Sequence, residues 1–231
     1  MCWGYNDAGQ LGNSTSGGYS SVPVAVEGVS GVTAIAAGGD HTCALPTTGT
    51  VMCWGYNDAG QLGNGTFTDS LVPVAVKGLS GVTAIAAGYE DTCALLTTGT
   101  VKCLGLNGYC QLGNGPSPGT SRVPVTVKGL SGATAITVGD GDTTCARLST
   151  GTAKCWGYNA NGLLGTGTFA NSSVPLAIKG LSGATAIATG DDSTCARLST
   201  GTVKCWGLNS QGQLGNGTTT DSHVPVAVTG L

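Results

Sequence analysis

The sequence predicts an all-β fold, a β-propeller of four-stranded antiparallel blades, with about four and a half blades in the 231 residues. Three observations lead there. The phrase G-x-N-x-x-x-Q/L-L-G occurs five times, four of them behind a Cys-Trp pair, as in Cys53-Trp54-Gly55-Tyr56-Asn57-Asp58-Ala59-Gly60-Gln61-Leu62-Gly63. Its anchors Trp3, Trp54, Leu104, Trp156 and Trp206 stand 51, 50, 52 and 50 residues apart, a period that denotes stacked supersecondary units. Glycine supplies 41 residues, yet the glycines recur in register between runs of Val, Ile and Thr, the pattern of strands and tight turns rather than of disorder.

Each repeat reads as four short strands, with Thr83 to Val127 as the example. The first, Thr83-Ala84-Ile85-Ala86-Ala87-Gly88, has small side chains and suits the innermost position, where blades crowd around a channel. Thr92-Cys93-Ala94-Leu95-Leu96 and Thr100-Val101-Lys102-Cys103 follow as a hairpin closed by Thr97-Thr98-Gly99, glycine taking the left-handed loop position. A glycine-rich excursion leads to Val123-Pro124-Val125-Thr126-Val127, matched by the runs at Pro23, Pro73, Pro175 and Pro225. Proline has no amide donor, so this strand is expected on the outer edge.

The blades are expected at 30–79, 80–130, 131–181 and 182–231, with a partial blade at 1–29. Met1 aligns with Met52 inside a third strand, and Leu231 aligns with Leu79 before Ser80-Gly81. The sequence thus holds five third-and-fourth strand pairs but four first-and-second pairs, which reads as a segment of a longer propeller or as a sheet that another copy completes.

Eight of the ten cysteines fall into pairs ten residues apart: Cys43 with Cys53, Cys93 with Cys103, Cys145 with Cys155, and Cys195 with Cys205. With a three-residue loop at Thr47-Thr48-Gly49, counting back sets Cys43 opposite Cys53 in a non-hydrogen-bonded pair, where Cα atoms come within roughly 4.5 Å. A disulfide is therefore expected in each blade, worth roughly 2 to 3 kcal/mol at most on the chain-entropy model. Two thiolates across one strand pair, with only two histidines in the protein, do not make a tetrahedral zinc site. Such disulfides indicate an oxidising compartment, extracellular or at a cell surface. Cys2 and Cys110 have no partner at this spacing; Cys110 replaces the glycine found at Gly9, Gly60, Gly162 and Gly212.

These motifs resemble the regulator of chromosome condensation repeat, whose pattern joins Trp-Gly-x-Asn-x-x-Gly-Gln-Leu-Gly to Ala-Gly-x-x-His-Ser/Thr. Gly38-Gly39-Asp40-His41-Thr42, Trp54 to Gly63 and Trp206 to Gly215 carry the resemblance, which spans essentially the whole chain. It implies a propeller, commonly of seven four-stranded blades, and the Cys-Trp-Gly form resembles the bacterial extracellular branch. The family histidine is matched only at His41, being replaced by Asp91, by Thr143 next to Asp142, and by Ser193. Leu104 replaces the tryptophan and Tyr109-Cys110 alters the turn.

No catalytic set emerges. His41 and His223 each occur once in a repeating frame, and Gly28-Val29-Ser30-Gly31 recurs as a turn rather than a nucleophile elbow. No phosphate loop opens a helix, because no helical period is present, and no cofactor is expected. Nine scattered basic residues and a net charge of -3 give no stripe for nucleic acid, and no apolar run of about 18 residues predicts membrane insertion.

Seven of the twelve acids, Asp40, Glu90, Asp91, Asp140, Asp142, Asp191 and Asp192, are expected in the turn between first and second strands. A propeller would gather them at one mouth of its channel. There they would draw a basic partner or a hard cation, or would serve only as soluble turn residues. Asn13, Asn64, Asn171 and Asn216 head glycosylation sequons on expected surface loops, used where the host has the machinery. The sequence reading is thus a non-catalytic extracellular propeller that binds a protein or acts as a scaffold, with the loops at Ser14 to Ser21 and Pro116 to Arg122 the most individual. The alternative is a structural subunit that joins further copies of itself end to end into a ring or fibre.

Overall fold

The computed structural model describes residues 1–230, and those residues form five antiparallel sheets. The first has two strands, β1 (Cys2–Tyr5) and β2 (Tyr19–Val24). Four four-stranded sheets follow: β3 (Val32–Ala37), β4 (His41–Pro46), β5 (Met52–Gly55) and β6 (Ser70–Ala75); β7 (Val82–Ala87), β8 (Asp91–Leu96), β9 (Val101–Leu106) and β10 (Thr120–Thr126); β11 (Ala133–Val138), β12 (Thr143–Leu148), β13 (Ala153–Gly157) and β14 (Ser172–Ala177); β15 (Ala184–Thr189), β16 (Ser193–Leu198), β17 (Val203–Gly207) and β18 (Ser222–Ala227). Strand order within each sheet follows chain order, the meander of a propeller blade. The first strands β3, β7, β11 and β15 are neighbours in space, so they form the inner wall. Each Val-Pro run lies in an outermost strand, where a missing amide donor breaks no ladder.

Turn chemistry sets the register. The Gly49 amide donates to the Pro46 carbonyl at 2.9 Å and Gly49 has φ +77°, a type I turn followed by a left-handed glycine. That loop places Thr42 opposite Trp54, Cys43 opposite Cys53 and Ala44 opposite Met52. The outer strands depart from simple alternation. In the example blade the pairing slips between Ser121 and Val125, so β10 starts at Thr120 rather than at Val123. The Ser121 hydroxyl donates to the Val123 carbonyl at 2.7 Å, and Ser70, Ser172 and Ser222 make the same local bond. Four residue steps from Ser121 to Val125 lie against two from Gly105 to Cys103, so the irregularity absorbs two extra residues that a regular strand count does not include.

The core is a series of layers between blades. One layer joins Cys43, Leu45, Val51, Cys53, Leu62 and Val76 to Val82, Ile85, Ala94 and Leu104 of the next sheet. Two further layers repeat it around Trp156 and Trp206. The sheets β3–β6, β7–β10 and β11–β14 thus each present their cysteine pair to the following blade, and small inner-strand residues let the sheets approach. Burying such aliphatic and indole groups contributes roughly 1.5 to 3 kcal/mol per side chain before entropy is set against it.

Candidate functional site

The asparagine of each repeated phrase builds the loop that surrounds the blade. Asn57 Oδ1 accepts from the Leu62 amide at 2.9 Å, while its Nδ2 donates to the Thr66 carbonyl at 3.1 Å and the Thr68 carbonyl at 2.9 Å. Asn6, Asn107, Asn159 and Asn209 accept from Leu11, Leu112, Leu164 and Leu214 in the same way. All five are buried, so one amide satisfies backbone groups that a glycine-rich excursion would otherwise leave unpaired.

A second set of bonds crosses from blade to blade. The Gln10 carbonyl accepts from Trp54 Nε1 at 2.9 Å and from Thr42 Oγ1 at 3.0 Å. Gln111 does the same for Trp156 and Thr144, both at 2.9 Å, and Leu163 for Trp206 at 2.7 Å and Thr194 at 3.1 Å. At the remaining junction the Leu104 side chain has no N–H to donate, and the Gln61 carbonyl receives Thr92 Oγ1 alone among side chains, at 2.9 Å. These contacts join residues 31 to 45 apart, which is why strand counting missed them.

The acids face the same end of the blades. Gln10 Nε2 donates to Asp40 at 3.0 Å, Gln111 Nε2 to Asp142 at 2.7 Å and Asn161 Nδ2 to Asp192 at 3.2 Å. Asp140 and Asp191 are exposed. Burial and then the charges of Asp142, Asp58 and Asp40 hold the Glu90 carboxyl above its ordinary range. Asp142 is also raised, chiefly by burial and further by Asp191, against a lowering bond from Gln111. Like charges thus act on one another across blades, and the hydrogen-bond donors they receive are neutral amides.

Asp91 departs from the expectation of a turn residue. It is the first residue of β8, fully buried, and both carboxyl oxygens lack a partner. Burial, then Asp142 and Asp140, push its carboxyl well above the usual range. Strand β8 starts one residue earlier than the sequence suggests because Asp91 pairs with Gly105, as His41 pairs with Gly55. Gln61 Nε2 at the same junction is buried without an acceptor. Among the described residues no group of three or more His, Cys, Asp or Glu side chains is arranged to hold a metal ion.

The cysteines lie where the hairpins put them: Cys43–Cys53, Cys93–Cys103, Cys145–Cys155 and Cys195–Cys205 are each joined, with Cα atoms 4.1 Å apart. Four such pairs fit an oxidising environment. Cys2 and Cys110 are free and half-buried, and Cys110 adopts φ +66° in the glycine position of the turn. His41 is buried in an interblade contact with the Thr92 hydroxyl, which itself donates to the Gln61 carbonyl, and His223 lies against Phe169 with ring centres 4.9 Å apart. Of the sequon asparagines, Asn171 is exposed while Asn13, Asn64 and Asn216 are half-buried. Asn64 Oδ1 accepts from Thr66 Oγ1 at 2.7 Å and Asn216 Oδ1 from Thr218 Oγ1 at 2.9 Å. Asn13 accepts from Thr15 at 2.7 Å, and Asn171 from the Asn159 amide at 2.8 Å.

Blades joined by Trp, Thr and Gln across their boundaries, each looped by a buried asparagine, define a repeat propeller. Two descriptions of the regulator of chromosome condensation (RCC1) repeat match, one at residues 32–61, 82–111, 133–163 and 184–213 and one at 2–45, 48–95, 151–197 and 200–231. They cover more than half of the chain, which belongs to the RCC1 repeat family. A stretch of 71 residues is 42% identical to the RCC2 homolog of Danio rerio, covering 30% of this chain and 14% of that protein. A stretch of 63 residues is 43% identical to the human probable E3 ubiquitin-protein ligase HERC3, covering 26% of this chain and 6% of the relative. Human WBSCR16 superposes with a TM-score of 0.85 at 25% identity, over 96% of this chain and 60% of that one. Prp20p of Saccharomyces cerevisiae gives 0.83 at 20% identity over 97% and 55%, a likeness of fold alone.

Proposed function

We propose that this chain is a non-catalytic propeller module that works outside the cell and binds a protein partner carrying a basic surface at its acidic mouth. One observation carries the reading: Asp40, Glu90, Asp142 and Asp192 are brought to one end of successive blades and meet neutral donors and one another rather than cations. Like charges held together in a partly desolvated rim attract a cationic group from a distance and are relieved when it arrives. The disulfide-joined pairs support the extracellular placement, and the packing roles of both histidines, His41 on Thr92 and His223 on Phe169, support a binding role over a catalytic one. RCC1 of yeast has been solved bound to Kap60, which makes protein recognition by this fold reasonable while leaving the partner of this chain to be named by its own surface.

End-to-end assembly has less behind it. Among the described residues every first and second strand is already paired inside its own sheet, so a second copy has no spare strand pair to lend to β1 and β2.

The test uses a Lys/Arg-rich peptide as probe, titrated into the folded protein at low and physiological salt. The expected result is salt-sensitive binding that is lost in the combined Asp40→Asn, Glu90→Gln, Asp142→Asn variant and kept in Glu27→Gln. Equal binding by all three proteins, or none by the wild type, would remove the proposal.

A further inference from the structure

The fold sorts the charges that the sequence scatters. All nine basic residues except Arg122 stand at the end of the blades away from the acidic mouth. Lys102, Lys154 and Lys204 are the second residues of β9, β13 and β17, just past the hairpin turns, and Arg147 and Arg197 precede two of those turns in β12 and β16. Lys77, Lys128 and Lys179 stand two residues beyond β6, β10 and β14, in the connections to the next blade. These connections pack on the hairpins: the Thr97 amide donates to the Gly81 carbonyl at 2.8 Å and the Ser149 amide to the Gly132 carbonyl at 2.9 Å. All twelve acids except Glu27 lie toward the opposite end.

At three successive blade boundaries the lysines come in pairs. Lys102 Nζ donates to the Gly78 carbonyl, next in the chain after Lys77, at 3.3 Å. Lys154 Nζ donates to the Gly129 carbonyl, next after Lys128, at 3.4 Å. Lys204 and Lys179 hold the same two positions at the third boundary. Neutral carbonyls leave the ammonium charge in place, and Lys77, Lys128 and Lys179 are exposed. Glu27 and Met52 take the paired positions one boundary earlier, so the row has a defined start. Beside the lysines the hairpin tips carry exposed hydroxyls: Thr98 donates to Thr100 at 3.0 Å, and Thr150 and Thr152 lie 2.8 Å apart, as do Thr200 and Thr202.

We propose that this basic end is a binding surface for a linear acidic polysaccharide, its sulfate or carboxylate groups lying along the lysine pairs and its hydroxyls meeting the threonines of the hairpin tips. A net charge of -3 gives the protein no general attraction for polyanions, so the binding comes from the gathering of its bases on one end. Several features select a sugar chain over other polyanions. The segments that build this end, residues 76–82, 95–102, 127–133, 147–154, 178–184 and 197–204, contain no Tyr, Phe or Trp on which a nucleobase could stack. Leu130 and Leu181 of the same segments are buried, which leaves no apolar anchor for a lipid surface. Lysine, a mobile point charge, suits a flexible chain of spaced anions better than the rigid fork of arginine does. The four disulfides fit an oxidising environment, where such polysaccharides are found.

Calorimetric titration of the folded protein with a heparin octasaccharide and with an oligogalacturonate tests this, the two separating sulfate from carboxylate. At least one is expected to bind, about tenfold or more weaker at about 200 mM than at about 50 mM salt. The combined Lys77→Gln, Lys128→Gln, Lys179→Gln variant changes exposed residues only and should keep the melting temperature while losing about tenfold or more in affinity. Arg122→Gln, which removes a base outside the row, should bind as the wild type does. Binding of neither sugar, or equal binding by the lysine variant, would overturn the proposal. So would equal or tighter binding of a DNA oligonucleotide of matched charge or of anionic vesicles. Concentration-dependent association of the protein that the lysine variant abolishes would assign the surface to a second copy and overturn it as well.

Discussion

His41 Nε2 lies 2.8 Å from Thr92 Oγ1, across the boundary between two blades. The Thr92 hydroxyl proton is committed to the Gln61 carbonyl, so the imidazole donates through Nε2 and its Nδ1 is left without a partner. The histidine here is a fastener, and its neutrality is part of the fit: burial lowers its pKa from 6.5 to about 4.

That lowering predicts a pH dependence. The unfolded chain takes up a proton at this residue near pH 6.5, the folded chain only near pH 4, so stability is full above 6.5 and is lost as pH falls between the two values. The loss from this group is on the order of 3 kcal/mol. Asp91, Glu90 and Asp142 titrate with the opposite sign, so the measurement is a difference: denaturant midpoints of wild type and His41→Gln from pH 7.5 to 4. The gap between them should narrow as pH falls, and a constant gap would contradict a neutral buried imidazole.

Asp91 occupies the position of His41 one blade later, and Thr144 occupies that of Thr92, donating to the Gln111 carbonyl as Thr92 donates to Gln61. A buried carboxyl with a raised pKa favours folding only while it is protonated, so its cost grows as pH rises from about 4 through its folded value. Asp91→His replaces it with a group able to reach Thr144. Thermal denaturation at pH 7 should show stabilisation of about 1 to 2 kcal/mol, shrinking toward pH 4. Destabilisation at pH 7 would show that the acid has a partner in solution.

Trp156 donates to the same carbonyl as Thr144. Trp156→Phe keeps an aromatic ring in the layer and leaves the Gln111 carbonyl its second donor, so unfolding experiments should give a loss of about 1 to 2 kcal/mol. Trp156→Ala opens a cavity in the layer and should cost about 3 to 5 kcal/mol. A like cost for both would place the indole N–H, not packing, at the centre of the contact.

Cys110 holds φ +66° where four other blades place glycine, a conformation that costs an L residue roughly 1 to 2 kcal/mol. A side chain at the matching Gly60 would stand 2.7 Å from the Arg122 Cα of the next blade. Cys110→Gly should therefore leave stability unchanged or raise it by about 1 kcal/mol, while Gly60→Ala should lower it by more than 1 kcal/mol. Calorimetry of the two variants distinguishes this from a turn that tolerates any residue.

What the sequence made legible was local and periodic. The spacing of the tryptophans gave the blades, and the count across Thr47-Thr48-Gly49 gave the register that sets Cys43 against Cys53. What it hid was either non-local or irregular. The Trp54 to Gln10 bond spans 44 residues, the Ser121 bulge breaks the alternation, and Asp91 looks like turn chemistry until its pairing with Gly105 is seen. The asparagine of the repeated phrase was visible as a letter but not as a reason, because its partners are backbone groups of a loop without regular structure.

The account depends on each blade being closed by its own sulfur bridge, and peptide mapping of the unreduced native protein tests this most directly. Alkylation before digestion should label Cys2 and Cys110 alone, and every linked peptide pair should join cysteines ten residues apart: 43 with 53, 93 with 103, 145 with 155, and 195 with 205. Linkages between different blades, or ten labelled thiols in the native protein, would contradict it.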